Sequence, residues 1–120
     1  MALTVASRES GNVTVLDLKG KITLGEGSVQ IRDAIRSLVG KGRKSILLNL
    51  GDVTYIDSSG LGELVGAYTT AKNQGAELKL LKLTKKVHDL LQLTKLYTVF
   101  DTYDDETIAI ASFKLAHAGI

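Results

Sequence analysis

Apolar and polar residues alternate near the start of the chain in a way that predicts two paired strands. In the segment NVTVLDLKGK (residues 12–21), four apolar residues are interspersed with polar ones, as in a half-buried strand. The preceding segment LTVAS (residues 3–7) is expected to pair with it as a hairpin, through a turn at residues 10–12.

Three later segments also predict strands. SILLNL (residues 45–50) is a nearly unbroken apolar run, which suits a strand covered on both faces, as in a parallel sheet. ELKLLKL (residues 77–83) is the next strand, and YTVFDTY (residues 97–103) contains a last short one. We expect GDVTYID (residues 51–57) to be the loop that follows the SILLNL strand.

Between these strands, apolar residues recur at helical spacing. From Glu26 to Val39 they fall at i, i+3, i+4, i+7 and i+8, and glycines follow as a stop signal. A second helix begins at the serines of residues 58 and 59 and ends near Gly75. Thr84 is expected to cap the helix of residues 85–94, and the acidic start of residues 104–118 suits a helix N-terminus.

The order of elements is therefore β-β-α-β-α-β-α-β-α. This order predicts an α/β fold, with a mostly parallel sheet of four to five strands and about four flanking helices. The 120 residues include no proline and no linker-like stretch, so we expect a single domain over residues 1–120. The tail from about residue 116 is expected to fray.

Composition excludes several classes of function. A formal net charge of +2, from 15 basic and 13 acidic residues, is too balanced to indicate nucleic-acid binding by itself. The chain has no cysteine and two histidines far apart in sequence, and we expect neither a metal site nor a cofactor. No apolar run approaches the length of a membrane span, and MALTVASRES lacks the pattern of a signal peptide. A cytoplasmic protein that does not contact a membrane is expected.

The segment IDSSGLG (residues 56–62) places an aspartate, two serines and two glycines where the second helix begins. The simplest interpretation is capping, in which Asp57 or Ser58 accepts hydrogen bonds from the first helical N–H groups. Capping does not explain Gly60 and Gly62 in the first turns, where each glycine costs about 0.5–1 kcal/mol relative to alanine. The bare surface indicates that another molecule approaches closely.

Two other interpretations depend on weaker patterns. A nucleotide or phosphate cradle would use the glycines at the helix start, but Gly66 comes one residue late for GxGxxG and no Walker lysine follows. A serine nucleophile would need a base, for which His88 beside Asp89 is the candidate, but the flanking sequence is not GxSxG.

A fourth interpretation is a modification switch. A hydroxyl at a helix N-terminus, flanked by glycines, is open to the active site of another enzyme. Phosphorylation would add about −1.5 to −2 charges, which the helix end tolerates and Asp57 opposes. The main effect would fall on a partner docked over the serine, through repulsion and desolvation.

The chain resembles the STAS domain of bacterial anti-sigma-factor antagonists of the SpoIIAA and RsbV type. The most specific part is LNLxxVxxIDSSGLG, from Leu48 to Gly62, and LTKKVHDLLQLTKLYTVFDTYDDETIA (residues 83–109) adds the later pattern of that family. The resemblance covers about 90% of the chain.

The resemblance implies a mechanism of partner exchange. Such a protein, unphosphorylated, binds a serine kinase of the histidine-kinase-like ATPase fold that also acts as an anti-sigma factor, and the sigma factor is released. The kinase phosphorylates the serine after the motif aspartate, which is Ser58 here, and the phosphoprotein lets the kinase go. A metal-dependent serine phosphatase restores the hydroxyl. The domain itself catalyses nothing.

The resemblance also assigns roles around Ser58. Asp57 would orient or hydrogen-bond the Ser58 hydroxyl, with capping as its alternative role. Ser59 would bond the backbone, or be the acceptor instead. Gly60 and Gly62 would let the kinase approach. Leu61 would offer an apolar contact, with burial in the core as the alternative.

A second docking segment is implied after the second strand. Ile22, Thr23 and Leu24 would contact the kinase there. Thr23 stands where the family often has an acidic residue, so the identity of the partner is open. The alternative function is a ligand-sensing STAS module that binds a nucleotide or another anion at the helix N-terminus following Asp57.

Overall fold

The computed structural model describes residues 3–23 and 25–118 and has one five-stranded sheet with four α-helices. The order of elements is the predicted one. The strands are β1 (Thr4–Ser10), β2 (Val13–Ile22), β3 (Ser45–Ile56), β4 (Glu77–Leu81) and β5 (Thr102–Tyr103). The helices are α1 (Glu26–Gly40), α2 (Ser58–Asn73), α3 (Lys85–Thr94) and α4 (Glu106–Ala118), with a 3₁₀ turn at Leu96–Thr98.

The strands lie side by side in chain order, β1-β2-β3-β4-β5. β1 and β2 form the predicted antiparallel hairpin, with Ser10 opposite Val13 and Thr4 opposite Lys19. The other three pairings are parallel, because a helix returns the chain to the same end of the sheet each time. The mostly parallel sheet is therefore confirmed.

β3 is the central strand, and both of its faces are covered. Ile46 and Leu48 join the larger hydrophobic core, while Leu47 between them joins a smaller core on the opposite face. Coverage on both faces explains why the SILLNL segment is apolar without alternation. The larger core also contains the buried faces of α1, α2 and α3, whereas Ala109 and Phe113 of α4 belong to the smaller one.

β3 is longer than the sequence predicted, and this prediction was wrong. The strand continues through Ile56, so most of the expected loop is paired with β2. The pairing shifts twice, because β3 has one extra residue between Asn49 and Asp52 and another between Val53 and Tyr55. Such bulges interrupt the inward–outward alternation by which a strand is recognised in a sequence.

The ends of the helices follow their local signals. The Thr84 hydroxyl accepts a hydrogen bond from the Val87 N–H at 3.4 Å, which confirms the predicted cap of α3. Gly75 has a φ of +78° just after α2, in the left-handed region that glycine adopts easily. α4 is helical to Ala118, and residues 119 and 120 of the predicted frayed tail lie outside the described residues.

Candidate functional site

Asp57 is the single residue between β3 and α2, and it caps the helix. Its backbone is extended (φ −110°, ψ −178°), and its Oδ1 accepts a hydrogen bond from the Gly60 N–H at 2.7 Å. Its carbonyl oxygen accepts the Leu61 N–H at 2.9 Å, which begins the helical hydrogen-bond pattern. The capping role is therefore performed by the aspartate.

Ser58 and Ser59 are the first two residues of α2, and both are exposed. Within residues 3–23 and 25–118, neither hydroxyl has a hydrogen-bond partner. The predicted hydrogen bond between the Ser58 hydroxyl and the Asp57 carboxylate is thus absent, because that carboxylate accepts the Gly60 N–H instead. The predicted bond from Ser59 to the backbone is absent as well. The Ser58 oxygen is left open to solvent.

The two glycines of the first turns have different roles. Gly60 is buried, and a Cβ placed on it would overlap the carbonyl group of Ile22 at the end of β2. Gly60 is thus required for the start of α2 to lie against β2, and its assignment to partner approach is corrected. Gly62 is exposed, and a Cβ there would meet nothing within 4 Å. The fold does not require a glycine at position 62.

Two predicted contact residues are in the core. Leu61 is 2% exposed and Ile22 is 0% exposed, so neither side chain can reach a partner, and these two assignments are corrected. Both are buried because α2 begins directly over the end of β2. Thr23 is half-buried, and its carbonyl accepts a hydrogen bond from the Ser28 hydroxyl at 2.8 Å. Leu24 lies outside the described residues.

An ion pair that the sequence did not reveal joins α1 to α2 one turn beyond the serines. Arg32 binds Glu63 through two N–H groups, with N···O distances of 2.7 and 3.4 Å. The hydrogen bond that Arg32 donates to the Glu63 carboxylate raises the pKa of Arg32 above its ordinary value. The partners are 31 residues apart, so no local pattern could have indicated this contact.

A second unpredicted feature is a contact between a lysine and an exposed tyrosine, which lies shortly before the serines in the sequence. Tyr55 is 39% exposed, and the ammonium nitrogen of Lys86 lies 5.3 Å from the centroid of its ring. Lys21 is opposite Tyr55 in the register between β2 and β3. The only sequence signal for this contact is an aromatic residue two positions before the motif aspartate.

The groups that a serine nucleophile or a nucleotide cradle would need do not lie at the start of α2. His88 is on the exposed surface of α3, with its Nδ1 3.8 Å from Asp89, and in the described residues it makes no hydrogen bond to either serine. A groove of about 450 Å³ contains no residue of α2; it is lined by Thr4, Lys19, Gly20, Lys21, Gly51, Asp52, Val53 and Thr54. Among the described helices, none has the length and apolar character needed to cross a bilayer.

Comparison with known proteins is consistent with this architecture. The sequence model of the STAS domain matches residues 4–109. The chain is 31% identical over 101 residues to the anti-sigma-B factor antagonist of Bacillus subtilis, which covers 84% of this chain and 91% of that protein. It is also 31% identical over 70 residues to the anti-sigma F factor antagonist of Paenibacillus polymyxa, covering 58% of this chain and 60% of the relative.

A solved structure shows the same fold. A Thermotoga maritima protein with 25% sequence identity superposes with a TM-score of 0.82, over 90% of this chain and 92% of that chain.

Proposed function

The chain belongs to the STAS domain family, and we propose that it is an anti-sigma-factor antagonist controlled by phosphorylation of Ser58. Relatives from two genera carry the name of such antagonists, and the described elements are those of the family fold. In this proposal the domain acts by binding, without catalysis or a cofactor, in the cytoplasm.

The availability of the Ser58 hydroxyl is the observation that supports this proposal most directly. The side-chain oxygen of a serine at a helix start often accepts a capping hydrogen bond from a backbone N–H. A serine engaged in this way is a poor substrate for another enzyme. Here Asp57 supplies the cap, and the exposed Ser58 hydroxyl has no partner among the described residues. A kinase can therefore reach and use this oxygen without breaking a hydrogen bond of the fold.

The partner would be a serine kinase of the histidine-kinase-like ATPase fold. The unphosphorylated chain would bind it through Ser58, Ser59 and the open face at Gly62, with Asp57 nearby and Thr23 as a further contact. Binding would displace the sigma factor from the kinase. The exposed glycine gives the partner backbone room to approach, since among the described residues nothing lies within 4 Å of where a Cβ of residue 62 would be.

Phosphorylation would change the docking face more than the fold. The added charge of about −1.5 to −2 meets the partial positive charge of the α2 N-terminus, which favours it, and the Asp57 carboxylate, which opposes it. A docked kinase would have to desolvate that phosphate without a prepared cation, so the complex would dissociate. A metal-dependent serine phosphatase would then restore the hydroxyl.

The test is intact-mass spectrometry with site mapping, on the protein purified from its native cells with phosphatases blocked. One phosphate on Ser58, lost in Ser58→Ala, supports the switch. Phosphate on Ser59 alone would show that Ser59, and not Ser58, is the phosphate acceptor. No phosphate under any growth condition would contradict the proposal.

Titration with ATP and GTP in the absence of a partner separates the switch from the competing ligand-binding function. Saturable binding that depends on the start of α2 would favour a nucleotide-sensing module. Turnover that disappears in Ser58→Ala would instead indicate an enzyme.

A further inference from the structure

Tyr55 forms an exposed aromatic centre next to the proposed docking face. It is 39% exposed, whereas Val53 and Ile56 on the same strand are buried. Tyr55 is three positions before Ser58, so their Cα atoms are at most about 11 Å apart along an extended chain. A standard interface of about 800 Å² per partner spans more than this distance. A protein docked over Ser58 is thus in reach of Tyr55.

Two lysines are associated with Tyr55, one through its ring and one through the pairing of the strands. Lys86 lies over the ring at 5.3 Å from its centroid, and Lys21 is opposite Tyr55 on β2. Within the described part of the chain, neither lysine makes an ion pair. Asp52 lines the same groove as Lys21 but forms no ion pair in those residues either.

The carboxylates nearest in sequence to the serines are already engaged within the chain. Asp57 caps α2 through its bond to the Gly60 N–H, and Glu63 is held by Arg32 at 2.7 Å. The nearby Lys85 is paired with Asp89 at 3.2 Å. Beside Tyr55 the two unpaired lysines are therefore the cations left for a partner, and Asp52 is the carboxylate of the same groove that stays without an ion pair in the described residues.

We propose that Tyr55, Lys21 and Lys86, here called the Tyr55 surface, form a second contact area for the kinase that recognises Ser58, and that the kinase presents acidic side chains to it. This inference rests on the proposed function. Tyrosine is enriched among residues that dominate binding energy, since it buries a large area at low entropic cost. The lysines would mainly set association rate and partner choice.

A protein partner fits these features better than a nucleic acid. Nucleic-acid surfaces line several cations along a backbone path and stack successive bases on several rings. Here one exposed ring and two cations occupy a small area on a chain with a net charge of +2. A compact acidic patch of a folded partner matches that size and charge.

A photo-crosslinking experiment in the native cells tests the proposal. The photoreactive residue p-benzoylphenylalanine is placed in the full chain at Tyr55, at Gly66 or at Tyr97, one position per variant. Gly66 is open and exposed on α2 beyond the serines, and Tyr97 is an exposed tyrosine (52%) near the far end of α3. We expect the photoreactive residue at positions 55 and 66 to crosslink to the same kinase, and at position 97 not to crosslink to it. The kinase peptide attached to position 55 should be rich in acidic residues.

The outcomes separate the two proposals. Capture of the kinase from position 66 alone, or through a neutral or basic peptide at position 55, overturns the inference and leaves the proposed function intact. Capture of RNA or DNA from position 55 overturns it in favour of a nucleic-acid surface. No kinase from any position contradicts the proposed function, and the inference with it.

Charge reversal then measures the contribution of the lysines. With the captured kinase purified, Lys86→Glu should raise Kd by about tenfold or more and reduce its dependence on salt. Lys85→Glu, the neighbouring exposed lysine, is the matched control and should change Kd less than threefold. Tyr55→Phe should retain affinity and Tyr55→Ala should lose it. Equal effects of Lys85→Glu and Lys86→Glu would contradict a specific role for the Tyr55 surface.

Discussion

Arg8 on β1 and Glu106 at the start of α4 are 98 residues apart in sequence, and their side chains are joined by two hydrogen bonds of 2.6 and 2.8 Å. The same guanidinium binds Asp17 of β2 at 2.7 Å, and Asp17 also accepts a hydrogen bond from Asn49 of β3 at 2.8 Å. One arginine thus ties the edge hairpin, the central strand and the last helix together on the face opposite α1, α2 and α3.

This network predicts a loss of stability in acid. The hydrogen bond from Arg8 is the largest cause that lowers the pKa of Asp17 and of Glu106 below their ordinary values of 3.8 and 4.5. A group whose pKa is lowered by folding stabilises the fold above its unfolded pKa and loses that contribution as pH falls through the folded value. The contribution is therefore present at pH 7, begins to fall as the pH drops below the ordinary values of 4.5 and 3.8, and is lost as the pH passes through the lowered values.

Arg8→Gln isolates this effect. Because the three side chains are between 30% and 42% exposed, the network is worth about 1 kcal/mol. Urea unfolding at pH 7 and at pH 3 should show that the wild-type chain loses about 1 kcal/mol more than Arg8→Gln. Parallel losses in the two proteins would mean that Arg8 does not stabilise the ionised carboxylates.

The two glycines after the serines should respond oppositely to alanine. Gly60→Ala should destabilise the fold by about 1–3 kcal/mol, because the added methyl group overlaps the Ile22 carbonyl, which cannot move freely. Gly62→Ala should be stabilising by about 0.5–1 kcal/mol, since alanine is the better helix former and the space is open. Denaturant midpoints decide this, and Gly66→Ala is the matched control, with the same open surroundings. A stable Gly60→Ala variant would contradict the close packing of α2 on β2.

The side chain at position 62 should matter for binding rather than folding. Gly62→Leu is expected to keep the thermal midpoint within a few degrees of wild type and to weaken kinase binding by tenfold or more, because the branched side chain fills the approach path. Calorimetric titration with the kinase gives the affinity. Unchanged affinity would show that Gly62 is not part of the docking face.

Asp57 should contribute to stability through capping, and Ser58 should not. Asp57→Ala is expected to cost about 1 kcal/mol, whereas Asp57→Asn should cost a few tenths, since asparagine also caps. Ser58→Ala should change the free energy of unfolding by less than about 0.5 kcal/mol, because its hydroxyl is exposed. If Ser58→Ala is as destabilising as Asp57→Ala, the serine shares the cap and is less available for modification.

Ser58→Asp should imitate the phosphorylated state in part. The fold is expected to persist, because an acidic residue suits the first turn of a helix, while kinase affinity should fall by tenfold or more. Ser58→Asn has nearly the same shape without the charge and should retain most of the affinity. A similar loss in both variants would assign the effect to shape rather than charge.

The order of elements, the capped helix starts and the apolar faces could all be predicted from the sequence. These features depend on residues within a few positions of one another: Thr84 bonds the N–H three residues later, and Asp57 does the same. The motif also located the start of α2, and with it the exposed serines. Periodicity and capping involve residues that are close together in the sequence, so both can be recognised from the sequence alone.

The tertiary structure alone decided which motif residues face solvent and which are in the core. Gly60 and Gly62 look alike in the sequence, but only Gly60 is pressed against Ile22, a contact across 38 positions of the chain. The ion pair of Arg32 with Glu63 and the contact of Lys86 with Tyr55 also join distant segments. The extension of β3 depends on two bulges that only its pairing with β2 reveals. Such contacts follow from how the sheet brings separate segments together, and no local pattern of residue types contains that information.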